Sequence, residues 1–232
     1  MSSRPLLLAL AAATTTTTCA ATPTLDDAAL WLNALGIRAD LPRLSVRYGY
    51  SDVQGSDTTF RLASDEVREL LQHAPTVEWD EGAFGAPQHE SEKFFLLMLD
   101  PDAPQRATDG SLSGSAGPWL HWLVANGRHG TLSTGQTVVS YMTPDPPETG
   151  GTHRYIFLLF RQLKPGTLSG YVAGPTFRKK WDIAGFLRDN AEALEPVSYN
   201  FFYATAERIG GPMDGAAGRA ESGLMPPVKS EL

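Results

Sequence analysis

Residues 94–99 read Phe-Phe-Leu-Leu-Met-Leu, an apolar run without a break that ends on Asp100. The run is too short for a buried helix and suits a strand. With no polar position to give to water, such a strand must be covered on both faces. That single run argues for a sheet buried inside a β-rich domain.

The flanking segments fit around it. Leu44, Val46, Tyr48 and Tyr50 alternate with polar or small residues, the pattern of a half-buried strand. Residues 119–125, 137–142 and 155–160 are further strand candidates, and Val197, Tyr199, Phe201 and Tyr203 alternate again in a last strand. Leu25, Ala28, Ala29, Leu32 and Leu35 recur at helical spacing, with Thr24 placed to cap the helix and Gly36 to stop it. Residues 177–189 read as a second helix, with Phe177, Trp181, Ala184 and Leu187 on one face. Gly- and Pro-rich loops cover residues 80–88, 101–118 and 143–152. The middle one spans 18 residues, long for a plain connection and therefore a candidate for function. No internal repeat occurs.

Chemistry narrows the role. The apolar fraction of 42% supports a real core, and a net charge of -7 argues against nucleic acid or an anionic membrane surface as partner. Before Asp26 the only charge is Arg4. A short apolar run then leads to Cys19-Ala20-Ala21. This is the pattern of a secretory signal peptide over residues 1–20, too short to span a bilayer. The domain is expected over residues 24–208, with a flexible Gly-rich tail over 209–232. Once the leader is removed, no cysteine remains for disulfides, thiolate metal sites or a thiol nucleophile. The last four residues, Lys229-Ser230-Glu231-Leu232, resemble an endoplasmic-reticulum retrieval signal with one change, or form a chance polar tail. The expected location is the secretory route, ending outside the cell.

Three segments set polar groups at the ends of apolar strands: Asp100-Pro101-Asp102-Ala103-Pro104, then Trp119-Leu120-His121-Trp122, then Pro146-Pro147 followed by Gly150-Gly151-Thr152-His153-Arg154-Tyr155. Singly, each has a plain reading. His121 reads as a core histidine satisfied by a backbone carbonyl. His153 reads equally as a surface residue or a ligand, and Asp100 as a turn residue.

Together the three strings resemble the phosphatidylethanolamine-binding protein family. The resemblance covers residues 25–207 and is strongest over 94–162. It implies a mainly β, antiparallel β-sandwich with a few peripheral helices. It also implies a pocket formed by Asp100, His121, Pro146, Pro147, His153 and Tyr155, with Asp102 and Trp119 in support. There the family takes phosphoryl head groups, phosphate or acetate. Cis peptides at Ala103–Pro104 and Gly117–Pro118 are implied as well. Imidazole N–H groups can donate to an oxyanion, and Asp100 would orient one ring. Asp145 departs from the family pattern of a small residue before the Pro-Pro pair. A carboxylate there would repel an anion if it faced inward.

The leading expectation is a non-enzymatic binder of small anions or phospholipid head groups, with no cofactor and no metal. The alternative is inhibition of a serine protease by protein contact, as in the carboxypeptidase Y inhibitor branch. A third reading makes Asp100, Asp102, His121 and His153 a two-His, two-carboxylate metal site of a hydrolase. Neither a Gly-x-Ser-x-Gly elbow nor a phosphate-binding Gly loop occurs.

Overall fold

The computed structural model describes residues 27–85, 92–107, 113–164 and 178–206. The proposed leader, Thr24, Leu25, Phe177, the tail and the last four residues lie outside that set.

Helix α1 (Asp27–Ala34) is followed by β1 (Ser45–Tyr48), β2 (Ser51–Asp52), β3 (Thr59–Arg61), α2 (Asp65–Leu71) and β4 (Thr76–Glu78). Then come β5 (Lys93–Asp100), β6 (Trp119–Gly127), β7 (Gln136–Val139), β8 (Thr152–Gln162), α3 (Ile183–Asp189) and β9 (Leu194–Thr205). Among the described residues they form a small sheet, β2-β1-β4, and a six-stranded sheet, β3-β9-β8-β5-β6-β7. Every pairing is antiparallel except that of β3 with β9.

The unbroken run in β5 is explained by what covers it. Phe95, Leu97 and Leu99 pack into a core with Trp31 and Leu32 of α1 and Phe186 of α3. Phe94, Leu96 and Met98 pack into a second core, against Val46 and Tyr48 of the small sheet. The large sheet is thus the middle layer, with α1 and α3 on one face and the small sheet and α2 on the other. β8 divides in the same way: Ile156, Leu158 and Phe160 face the helices, and Tyr155, Phe157 and Leu159 the small sheet. Each of these side chains stabilises the fold by about 1.5–3 kcal/mol relative to exposure.

Several expected elements shift. Tyr50 is exposed rather than on a buried strand face, because Gly49, at φ 55°, turns the chain one residue after β1 ends. β9 is buried on both faces, not alternately. Ser198 Oγ donates to the Pro42 carbonyl, and Asn200 Nδ2 donates to those of Leu44 and Val53, so its polar positions need no water. The strand expected over 137–142 leaves the sheet after Val139. The second helix begins at Ile183, not 177. Ahead of it, Lys180 takes a left-handed φ of 51°, and the N–H groups of Lys180 and Trp181 donate to the carbonyls of Ala116 and Pro118. That strap is spent on holding the 101–118 loop. Asp182 then caps α3 through the Gly185 N–H. Gly36, at φ 74°, stands just beyond α1 as expected. Helix α2 carried little sequence signal, since only Val67, Leu70 and Leu71 of its seven residues are apolar.

Candidate functional site

Because β5 runs antiparallel to both β6 and β8, its C-terminal end meets the N-terminal ends of those strands. Asp100 pairs with Trp119, and Leu99 with Ile156. Topology therefore gathers Asp100, Trp119, His121, His153 and Tyr155 at one end of the sheet.

His121 arrives there through a bulge. Met98 faces Trp122, yet Leu99 faces Leu120, so His121 is the extra residue on β6. A bulge of this kind re-aims a side chain out of strict alternation. Met142 then holds His121 twice: its N–H donates to the His121 carbonyl at 2.9 Å, and its carbonyl accepts from His121 Nδ1 at 2.9 Å. The ring also meets Tyr155 edge-on, with centroids 5.1 Å apart.

His153 is held by Asp100. Its Nδ1 donates to Asp100 Oδ2 at 2.9 Å, and Asp100 Oδ1 accepts the Asp102 N–H at 2.7 Å. His153 is only 1% exposed. Its Nε2 makes no well-formed hydrogen bond among the described residues, although the Pro104 carbonyl lies near enough to favour its proton, and the buried indole Nε1 of Trp119 has no partner there.

These rings line a pocket of about 300 Å³ with Asp100, Tyr155, Pro147, Pro104, Ala103, Met142, Thr143 and Asp145. Of the expected residues, Asp100, Trp119, His121, Pro147, His153 and Tyr155 come together. Two do not line the pocket. Pro146 is turned inward and buried, while Pro147 takes the wall. Asp102 is fully buried and grips Arg154, with Oδ1 accepting from Nη2 at 2.6 Å and Oδ2 from Nε and the backbone N–H at 2.8 Å. That clasp removes Asp102 from the two-His, two-carboxylate metal arrangement. Among the described residues no group of three or more metal-ligating side chains is placed to hold an ion.

Ala103, Pro104, Met142 and Thr143 were missed, since nothing in their residue types signals a lining role. Asp145 stands at the rim, its side chain 78% exposed and 3.8 Å from Arg68 Nη1. Gly150 is required by close approach: a Cβ there would lie 2.6 Å from the Pro104 carbonyl oxygen and 2.9 Å from His153 Nε2. Ala103–Pro104 and Gly117–Pro118 are both cis, as the resemblance implied.

The two histidines are driven apart electrostatically. Burial works against a charge on His153. The Asp100 hydrogen bond, together with the charges of Asp100 and Asp102 and a smaller pull from the Pro104 carbonyl, outweighs it and holds the pKa above the usual range. For His121 burial dominates and lowers the pKa. Arg178 and His153 add to that lowering, against opposing pulls from Asp100 and the Met142 carbonyl. The Tyr155 phenol is pushed well up by burial and then by the charge of Asp100, so it stays protonated.

A family model described as phosphatidylethanolamine-binding protein matches residues 44–202. A "26 kDa secreted antigen" of Toxocara canis is 33% identical over 92 residues, 40% of this chain and 30% of the relative. "CEN-like protein 4" of Nicotiana tabacum is 34% identical over 119 residues, 49% of this chain and 59% of the relative. The matches therefore span less than two thirds of either relative. Among solved structures, a carboxypeptidase Y inhibitor complexed with its cognate proteinase is similar in fold, with a TM-score of 0.57 and 23% identity over 77% of this chain and 91% of that one. A phosphatidylethanolamine-binding protein from Plasmodium vivax follows at 0.53, with 19% identity over 72% of this chain and 88% of that one. All three strand-end segments lie within the matched span, and the chain belongs to the phosphatidylethanolamine-binding protein family.

Proposed function

We propose that the pocket binds a small oxyanion of the phosphoryl head-group class and that the protein holds this ligand without transforming it. The observation that carries the reading is the pair of buried, unpartnered nitrogens on rings lining the pocket, His153 Nε2 and Trp119 Nε1. A buried donor without an acceptor costs about 1–3 kcal/mol, and an anion accepting from both removes that cost. Binding rather than catalysis is favoured because both Nδ1 atoms and the carboxylates of Asp100 and Asp102 are already spent on orienting rings and backbone. Among the described residues the wall holds no serine or cysteine, and no arginine for a bidentate grip, so affinity is expected to be modest.

The test is a thermal-shift panel with inorganic phosphate, phosphoethanolamine and acetate. A ligand that binds only the native state raises Tm with concentration. No shift with any of the three at millimolar concentration rejects the reading.

Serine-protease inhibition is the second reading, supported by likeness of fold to the carboxypeptidase Y inhibitor. Residual activity of a panel of serine carboxypeptidases mixed with the protein tests it. A secretory route is part of the same proposal, supported by the leader-like residues 1–20 and by the relative named as a secreted antigen. N-terminal sequencing of the product secreted by eukaryotic cells tests that placement. Among the described residues no helix is long and apolar enough to cross a membrane.

A further inference from the structure

Each pocket histidine has one nitrogen already assigned. His121 Nδ1 lies against the Met142 carbonyl, which can only accept, so Nδ1 carries a proton. His153 Nδ1 donates to the Asp100 carboxylate. The nitrogen left for a ligand is Nε2 in both rings, but the two offer opposite things. A neutral ring protonated at Nδ1 presents a lone pair at Nε2, whereas an imidazolium presents N–H.

Their surroundings decide which ring is which. His153 on β8 faces two carboxylates, Asp100 and Asp102, from the end of β5. His121 on β6 shares Asp100, but it also faces His153 and the Arg178 guanidinium, and Tyr155 packs against it as an uncharged phenol. Asp145 contributes a charge only at the rim. The donors open to a ligand are then His153 Nε2 and Trp119 Nε1, neither of which makes a well-formed hydrogen bond, and the acceptor left by the Met142 contact is His121 Nε2.

We propose that the pocket accepts an anion that brings its own O–H, namely a phosphomonoester or inorganic phosphate, in preference to a phosphodiester. This rests on the anion reading above and narrows it. The ligand's O–H donates to His121 Nε2, and its charged oxygens accept from His153 and Trp119. A diester has no such proton in the neutral range and turns an oxygen lone pair against that of His121. No bond to phosphorus forms or breaks. Above pH 7 a free monoester is a dianion, with its second pKa near ~6, so binding takes up about one proton from solvent.

The experiment is titration calorimetry of the full chain at pH 6.5 with inorganic phosphate, phosphoethanolamine and the diester glycerophosphoethanolamine. The monoester is expected to bind roughly tenfold or more tightly than the diester, the worth of one charge-assisted hydrogen bond. Phosphate equal to phosphoethanolamine supports the proposal with free phosphate as a sufficient ligand. Tighter phosphoethanolamine supports it with the monoester as the source. A diester that binds as tightly as the monoester overturns the proposal and leaves the anion reading intact; no binding by any of the three overturns both. His121→Gln, whose amide can donate or accept, should collapse the ratio. A second readout needs no variant: at pH 8, binding enthalpies in two buffers of different ionisation enthalpy should report uptake of at least about one proton. Zero uptake overturns the proposal.

Discussion

The Asp102 carboxylate closes on the Arg154 guanidinium in two near-parallel hydrogen bonds of 2.6 and 2.8 Å, with both side chains buried. This pair fastens the loop after β5 to the start of β8 and so fixes the wall of the pocket without lining it. Breaking a buried pair of this kind by replacing one partner typically costs about 3–5 kcal/mol. Asp102→Ala is therefore expected to lower the unfolding free energy by that amount, seen as a fall in the urea midpoint with an unchanged slope. A loss below about 1 kcal/mol would show the clasp to be incidental.

Asp100 acts on His153 directly. In Asp100→Asn the ring keeps a hydrogen-bond acceptor but loses the neighbouring charge that raises its pKa. The imidazole titration followed by NMR is expected to move to lower pH. Anion affinity at pH 7.5 should fall and recover as the pH is lowered. Weakening by the same factor at every pH would instead indicate collapse of the pocket.

The two histidines bend the stability profile in opposite directions. His153 has a folded pKa above its ordinary 6.5, so its contribution is full below pH 6.5 and is lost as pH rises through the raised value. His121 has a folded pKa below 6.5, so its contribution is present above pH 6.5 and is lost as pH falls through the lowered value. Denaturant unfolding between about pH 5 and 8 should show His153→Gln flattening the alkaline fall and His121→Gln flattening the acid-side fall. If each variant altered the limb assigned to the other, the two assignments would be reversed.

Arg178 holds the bulge in place. Its Nη1 donates to the carbonyls of Leu120 and His121 at 3.0 and 2.9 Å, and its Nη2 to that of Ser140 at 2.8 Å. Arg178→Met removes these three hydrogen bonds, leaving the His121 carbonyl with the Met142 N–H alone, with an expected loss on the order of 3 kcal/mol. It also removes a charge that lowers the His121 pKa, so that ring should titrate at higher pH. Unchanged stability together with an unchanged His121 titration would deny Arg178 this role.

Much of the site was legible because strand ends are legible. Asp100 closes an apolar run, and His153 and Tyr155 open another, so an antiparallel pairing alone brings them together. Asp102 was expected only in support, and the chain order Asp-Pro-Asp does not say which carboxylate turns to the pocket. That choice is made by Arg154, 52 residues away. The Pro-Pro pair misled: Pro146 and Pro147 are chemically alike, and only the packed wall turns one inward.

By itself the sequence determined that this chain builds a buried sheet, that α1 ends just before Gly36, and that polar groups gather where apolar strands end. Those are local consequences of residue spacing and of burying apolar side chains. Tertiary structure alone decided that the residues before Ile183 form a strap rather than a helix, because their N–H groups find carbonyls of the 114–118 segment. It also decided that β9 is covered on both faces and that His121 turns into the pocket. The last depends on a register shift between β5 and β6. Register is a property of two strands together, so neither strand's sequence contains it.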